Sequence, residues 1–213
     1  MSLTQKDTAQ YLSILGSTGD IRMTVDEGTE GAKLREYETS DGKKGSKWEL
    51  IYKSISGKII GIEFFDGEFG MNMVLTFDFE DGNDPVKLSL GTASNYGEDV
   101  MKKLPNIKLD EHVVFNPYAF TGDDGKQKKG VSITQGDEKV LSYYWDPEKK
   151  KSVNNIPEPD GDTKKYSKDD WKMYFMKVRK FLIEEVKKLE VPERVVAEVT
   201  EEEPQDFGDA PKA

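Results

Sequence analysis

Residues 57–90 read GKIIGIEFFDGEFGMNMVLTFDFEDGNDPVKLSL, and they open the stretch from Gly57 to Trp145 that decides the fold. Apolar and polar residues alternate here with the period of two that is typical of half-buried strands. The alternation predicts three consecutive strands, at about Lys58 to Phe65, Asn72 to Phe79 and Val86 to Leu90. Gly, Asn, Asp and Pro between them are turn residues.

The second half of this stretch predicts one helix and two more strands. Asn95 is the expected N-cap of a helix that ends at Pro105, with Glu98 in its first turn. Gly97 should weaken that turn. A fourth strand is expected at about His112 to Phe120, a long hairpin loop over Thr121–Gly130, and a fifth strand around Val131 and Ile133. Val140 to Trp145 would finish or flank the barrel. Three strands, a helix and two strands is the element order of the OB-fold. The predicted fold class is therefore mainly β, with an OB-like five-stranded Greek-key barrel.

The flanks divide the chain into four parts: an N-terminal extension (1–56), the barrel (57–145), a surface excursion with a helix (146–190) and an acidic tail (191–213). The extension should hold a short helix over Thr4–Leu15, a strand at Ile21–Val25 and a β-hairpin. A capping-box pattern at Ser167 opens a long C-terminal helix that runs to about Glu190. Its broad apolar stripe predicts docking on the barrel, with a coiled-coil or dimer contact as the alternative.

Two interpretations of the hairpin stay open. Tyr37 and Trp48, with the lysines between them, could form a basic aromatic arm that lies over a bound strand. Alternatively, the rings pack on the barrel and the lysines keep a sheet edge soluble.

The ligand site of such a barrel is the face of its second and third strands, bounded by the loops that join strands one to two and four to five. Phe69 lies in the first loop, and Lys126, Lys128 and Lys129 lie in the second. Aromatic rings stack on bases and lysines contact phosphates, which is what a single-strand binder needs. The candidate binding residues are, in order, Phe69, Lys126, Lys128, Lys129, Trp48, Tyr37, Lys87 and Tyr118.

With one OB-like core, extensions on both sides and an acidic C-terminal tail, the chain resembles the phage-type single-stranded-DNA-binding proteins. The resemblance rests on element order over Gly57–Trp145 and on the composition of the tail. It implies non-sequence-specific coating of single-stranded DNA in replication or recombination. It also implies a tail that recruits partner proteins or competes with DNA for the groove. The tail residues concerned are Glu201, Glu202, Glu203, Asp206, Phe207 and Asp209.

The net charge of −10 argues at first against a nucleic-acid partner, since phosphates are bound by Lys and Arg. Residues 191–213, however, hold seven acidic and two basic side chains, which is half of that net charge. The absence of cysteine, of a signal-peptide pattern and of a long apolar run predicts a cytoplasmic protein, in the host cytoplasm if viral, with no membrane contact.

Catalysis is not expected. His112 is the one histidine, so nucleophilic triads lack a base and Cys/His zinc sites lack ligands. The acidic clusters at Asp78–Asp84 and Glu158–Asp162 do not have calcium-loop spacing. The sequence therefore predicts a binding protein without cofactor or metal. The rivals are a protein-interaction adaptor that binds no nucleic acid and a metal-dependent enzyme with scattered carboxylates.

Overall fold

The computed structural model describes residues 10–39, 42–79 and 84–192. In this part of the chain the fold is mainly β, as predicted, with two α-helices. The strands are β1 (Gln10–Ile14), β2 (Ile21–Val25), β3 (Lys33–Glu38), β4 (Lys44–Tyr52), β5 (Ile55–Gly67), β6 (Gly70–Asp78), β7 (Val86–Gly91), β8 (Val113–Thr121), β9 (Gln127–Gln135), β10 (Glu138–Lys139), β11 (Trp145–Asp146) and β12 (Lys151–Ser152). The helices are α1 (Asn95–Lys103) and α2 (Lys168–Val186).

Ten strands form one mixed sheet in the order β10-β9-β8-β5-β6-β7-β1-β2-β4-β3, and β11 pairs with β12 alone. The five strands predicted for the barrel are consecutive in this order, as β9-β8-β5-β6-β7. They do not close into a barrel in the part of the chain that the structure describes. The outer edge of β7 is paired in parallel with β1, and α1 contacts both β7 and β9. The predicted OB-type barrel is therefore not confirmed, because an N-terminal strand occupies the edge that closure needs.

The sheet turns a corner at β5. Its residues 55–57 pair with β8, whereas residues 58–67 pair with β6, and a bulge falls between Ile59 and Gly61. A bulge bends a strand and increases its twist, which lets one strand serve two parts of a sheet. Gly57 is needed at this corner, since a Cβ there would lie 2.6 Å from the Asp78 carbonyl oxygen.

The core lies on the inner face of the bent sheet and is closed by the two helices. Phe77 and Phe115 meet edge to face at its centre, with ring centroids 5.2 Å apart. The predicted docking of the C-terminal helix is confirmed, because Val178, Leu182 and Val186 of α2 are buried in this core. The helix is shorter than predicted and ends at Val186 rather than near Glu190.

Three local predictions were wrong. Gln10–Ile14 is a strand and not a helix, because alternate residues face the core and Leu12 is buried there. Ser94, rather than Asn95, caps α1 by accepting a hydrogen bond from the Gly97 amide at 3.0 Å. The predicted long loop over Thr121–Gly130 is only five residues, 122–126, so Lys128 and Lys129 belong to β9. No helix among the described residues is both long and apolar enough to cross a membrane.

Candidate nucleic-acid interface

An open cleft of about 660 Å³ lies beside the ends of β6 and β7. The β5–β6 turn contributes Phe69 to its lining, and β9 contributes Gln127 and Lys129. The β5–β6 turn and the start of β9 therefore meet at one cleft, whereas the β8–β9 loop itself, residues 122–126, does not line it. Four further lining residues come from strands: Ser13 from β1, Arg22 from β2, Asn72 from β6 and Ser89 from β7.

Phe69 lies at the tip of a two-residue hairpin turn. Gly67 pairs with Gly70 at the end of the β5–β6 ladder, which leaves only Glu68 and Phe69 outside it. Gly70 has a φ of +108°, a conformation that side-chain-bearing residues rarely adopt. The Phe69 side chain is 94 % exposed. An aromatic ring in this position contributes almost nothing to the core, and both of its faces are open to a flat ligand.

The three lysines of the β8–β9 region do not act together. Successive side chains of a strand point to opposite faces, so Lys129 and Gln127 face the cleft while Lys128 lies on the other side of β9. Lys126 precedes the strand and does not line the cleft. Lys129, which lines the cleft, makes no ion pair with a residue in the described ranges. The Lys128 ammonium and a carboxylate oxygen of Asp124 both lie beside Gly122.

Arg22 adds a second positive charge to the cleft. Its Nε donates to the Ser13 hydroxyl at 3.0 Å, and its Nη1 lies 3.6 Å from Oε1 of Glu49. Glu49 is held mainly by Arg35, whose hydrogen bonds keep the pKa of that carboxyl below its usual range. Arg22 is thus fixed in place and about one quarter exposed.

The first turn of α1 forms one wall of the cleft, through Ser94, Asn95 and Tyr96. Helix N-termini carry partial positive charge, which favours anions such as phosphate. The turn sits close against the end of β7, and a Cβ on Gly97 would lie 2.2 Å from the Gly91 carbonyl oxygen. Burial raises the pKa of the Tyr96 phenol, which stays neutral at physiological pH.

A polar sheet face continues from the cleft across β6, β7 and β1. Register places Thr76 opposite Lys87, and Lys87 beside Tyr11, all on the face that carries Asn72 and Ser89. The Lys87 ammonium lies 5.7 Å from the centroid of the Tyr11 ring, and Tyr11 is 52 % exposed. The candidate Lys87 therefore belongs to the same surface as the cleft.

Tyr118 and Trp48 lie elsewhere. Tyr118 is in contact with Phe120, at a centroid distance of 5.7 Å, and is paired with Gly130 rather than with Lys129. Burial raises the pKa of its phenol. Trp48 pairs with Leu34 and Val25, whereas Tyr37 pairs with Gly45, three residues from Trp48 along β4. An odd separation puts Trp48 and Tyr37 on opposite faces of the sheet. The two rings therefore do not form one basic aromatic surface.

Sequence reasoning missed Arg22, Ser13 and the exposed ring of Tyr11, and also Asn72 with its partner Phe65, which is 46 % exposed. For the residues of β1 and β2 the missing step was the parallel pairing of β1 with β7, which places both strands beside the face that carries Ser89 and Lys87. The apolar residues Leu12 and Ile14, two positions apart, were the sequence signal for strand β1. The tail candidates Glu201, Glu202, Glu203, Asp206, Phe207 and Asp209 lie outside the described residues.

Within the described ranges, no three carboxylate, histidine or cysteine side chains come together in a way that could hold a metal ion. Comparisons of the chain with protein-family models, with curated proteins and with solved structures returned no match.

Proposed function

We propose that the protein binds single-stranded DNA without sequence specificity, in the cleft between the β5–β6 turn and β9. The binding surface is the outer face of the second and third strands of an OB-like core that is opened by β1. The chain performs no chemistry on the strand it binds.

The observation that carries this proposal is the pairing of one exposed ring with unneutralised charge across one cleft. Phe69 is 94 % exposed at the rim, and Lys129 lines the same cleft. Stacking of a base on an aromatic side chain contributes roughly 1 to 3 kcal/mol and tolerates every base. Phosphate contacts from Lys129 and Arg22 are likewise independent of sequence.

The lining suits a nucleic-acid strand better than a small apolar ligand. Besides Phe69, its functional groups are mainly hydroxyls, amides, cations and the amide end of α1. Hydroxyl and amide side chains, backbone N–H groups and helix N-termini are the usual phosphate and sugar contacts. The cleft is therefore positive and hydrogen-bonding on a chain whose overall charge is negative.

The acidic tail gives this proposal its biological context. An acidic segment can compete with phosphates for a basic cleft or dock on replication and recombination proteins, and we assign both roles to Glu201, Glu202, Glu203, Asp206, Phe207 and Asp209. The basic cleft supports the first role, since it accepts carboxylates by the same charge interaction.

Anisotropy of a labelled oligo-dT strand tests the proposal. The full chain should bind at low salt, more weakly as salt rises, and Phe69→Ala should weaken binding about fivefold or more. Phe175→Ala is the matched control, because Phe175 is exposed on α2 and does not line the cleft. Absence of binding by the full chain and by a chain ending at Glu190, both at low salt, would refute the proposal.

A protein-interaction adaptor is the second candidate, and one surface favours it. The first turns of α2 expose Met173, Phe175 and Met176, at 71, 46 and 55 %. Flexible methionines are common at protein-binding surfaces. This candidate predicts that neither the wild-type chain nor the Phe69→Ala variant binds oligo-dT.

A further inference from the structure

The polar face of the sheet does not end at the cleft. From β6 the sheet continues through β7, β1, β2 and β4 to β3. Register keeps one set of side chains on one face throughout. Ser13 pairs with Ser89 and with Arg22, and Arg22 pairs with Ile51. Ile51 is six residues, an even number, from Gly45, the partner of Tyr37. The β2–β4–β3 part of the sheet, here called the arm, therefore shares its outer face with the cleft.

The arm's outer face holds a second group of one ring and several cations. The Tyr37 ring lies across Gly45, where a Cβ would come within 2.7 Å of the ring. The Arg35 guanidinium carbon is 5.2 Å from the ring centroid and the Lys47 ammonium is 5.7 Å from it. This group also combines one ring with cations, at the far end of the sheet, but the Tyr37 ring is half-buried whereas Phe69 is almost fully exposed.

Glu49 organises the charges between the two groups. Its side chain is 2 % exposed and lies on the same face, where it accepts two hydrogen bonds from Arg35 and faces Arg22. Glu49 with its two arginines carries one net positive charge, and exposed Lys47 adds another. The Glu49 carboxylate fixes the positions of Arg35 and Arg22, and the outer face of the arm keeps a net positive charge.

We propose that the arm is a second subsite for the same DNA strand, with Tyr37 stacking a base and Lys47, Arg35 and Arg22 contacting phosphates on the way to it. This inference rests on the proposed function of the cleft. It means that the strand crosses the sheet from the Phe69 cleft to Tyr37 and that the binding site is longer than the OB-like core.

Strand spacing fixes the length that the proposal requires. Five steps separate β6 from β3, and neighbouring strands are about 4.8 Å apart, so the distance across the strands is about 24 Å. Along the strands, Gly45, the partner of Tyr37, lies six residues from Ile51, the partner of Arg22, which adds about 20 Å. The diagonal is about 31 Å, which at about 3.4 Å per nucleotide of a stacked strand corresponds to about 9 nucleotides. An oligonucleotide of four residues should fill the cleft alone, and one of fifteen should reach the arm.

The test compares the double variant Tyr37→Ala/Lys47→Ala with Tyr52→Ala/Lys44→Ala, each against dT4 and dT15. The control positions lie in β4 with the parity of Trp48, hence on the other face of the arm. The arm variant should bind dT15 at least about fivefold more weakly than the wild type, from the loss of one stacked base, and bind dT4 unchanged. The control should match the wild type with both lengths.

Phe69→Ala serves as the reference in the same titrations and should weaken both lengths. If the arm variant binds dT15 like the wild type while Phe69→Ala is weakened, the arm subsite is wrong and the cleft stands. Equal losses on dT4 and dT15 also refute the arm, because a distant subsite cannot affect a strand that does not reach it. If neither the wild-type chain nor the chain ending at Glu190 binds either length at low salt, the proposed function itself falls.

Discussion

The guanidinium of Arg35 donates two hydrogen bonds, each 2.8 Å long, to the two carboxylate oxygens of Glu49. This bidentate pair joins β3 to β4, and Arg22 extends it to β2 at 3.6 Å. Glu49 is almost fully buried, so removing its partners or its charge would leave polar groups without compensation. The three strands of the arm are thus cross-linked by one carboxylate, on the face of the sheet opposite to the one that carries the core residues Ile21 and Met23.

Glu49→Gln should lower the free energy of unfolding by about 1 to 2 kcal/mol at pH 7. Charged hydrogen bonds contribute roughly 1.5 to 3 kcal/mol each, and we discount this because the Arg35 side chain is about one third exposed. Urea denaturation measures the change. Glu36→Gln, on an exposed position of β3, is the control and should be neutral.

The effect of Glu49 should also depend on pH in one direction. Arg35 keeps the folded-state pKa of Glu49 below the ordinary value of 4.5. The stabilisation is therefore complete above pH 4.5 and is lost as the pH falls through the lower folded-state value. The gap between wild type and Glu49→Gln should narrow on acidification, and a gap that widens would contradict this account of the pair.

Lys129→Ala should reduce the salt dependence of the proposed single-stranded-DNA binding, whereas Lys128→Ala should not. The two lysines are neighbours in β9, but only Lys129 lines the cleft. Loss of one phosphate contact lowers the slope of log K against log salt by about 0.7 for a single strand. Anisotropy titrations at several salt concentrations give the slope. Equal changes of the slope in both variants would mean that the bound DNA strand does not distinguish between the two faces of β9.

The sequence predicted local elements better than it predicted their assembly. Alternation along Lys58–Phe65 and Asn72–Phe79 located β5 and β6 because each strand buries one face. Hairpin loops placed Phe69 at a tip for the same local reason. The parallel contact of β1 with β7 joins residues about 75 positions apart, and no local pattern specifies it. Since that contact supplies Arg22, Ser13 and the whole arm to the candidate ligand face, this part of the site lay beyond sequence reasoning.

Ser167→Ala should destabilise the docked helix α2 by about 1 kcal/mol. The Ser167 hydroxyl accepts a hydrogen bond from the Asp170 amide at 3.2 Å, and the Asp170 carboxylate accepts one from the Ser167 amide at 2.8 Å. Loss of the cap corresponds to a decrease in Tm of roughly 2 to 4 °C for a chain of this size. Calorimetry measures it, and an unchanged Tm would show that α2 is held by its buried face alone.

Gly97→Ala should destabilise the protein, although alanine is the better helix former by about 1 kcal/mol. Gly97 lies in the first turn of α1, and its Cβ would come within 2.2 Å of the Gly91 carbonyl oxygen and 3.0 Å of its carbonyl carbon. Both are backbone atoms, so the helix must move away from β7. Because Gly91 and Tyr96 line the cleft, the variant should also bind oligo-dT more weakly.

Gly16→Ala is the matched control for this substitution. Gly16 lines the same cleft, but nothing lies within 4 Å of the Cβ that alanine would add. Its φ is not in the left-handed region, so the added methyl group should leave stability unchanged or raise it by a few tenths of a kcal/mol, by restricting the unfolded chain. Thermal melts of the two variants separate the steric effect of the methyl group added at Gly97 from the general effect of replacing glycine by alanine. If Gly97→Ala is as stable as Gly16→Ala, the close contact between α1 and β7 does not position the cleft wall.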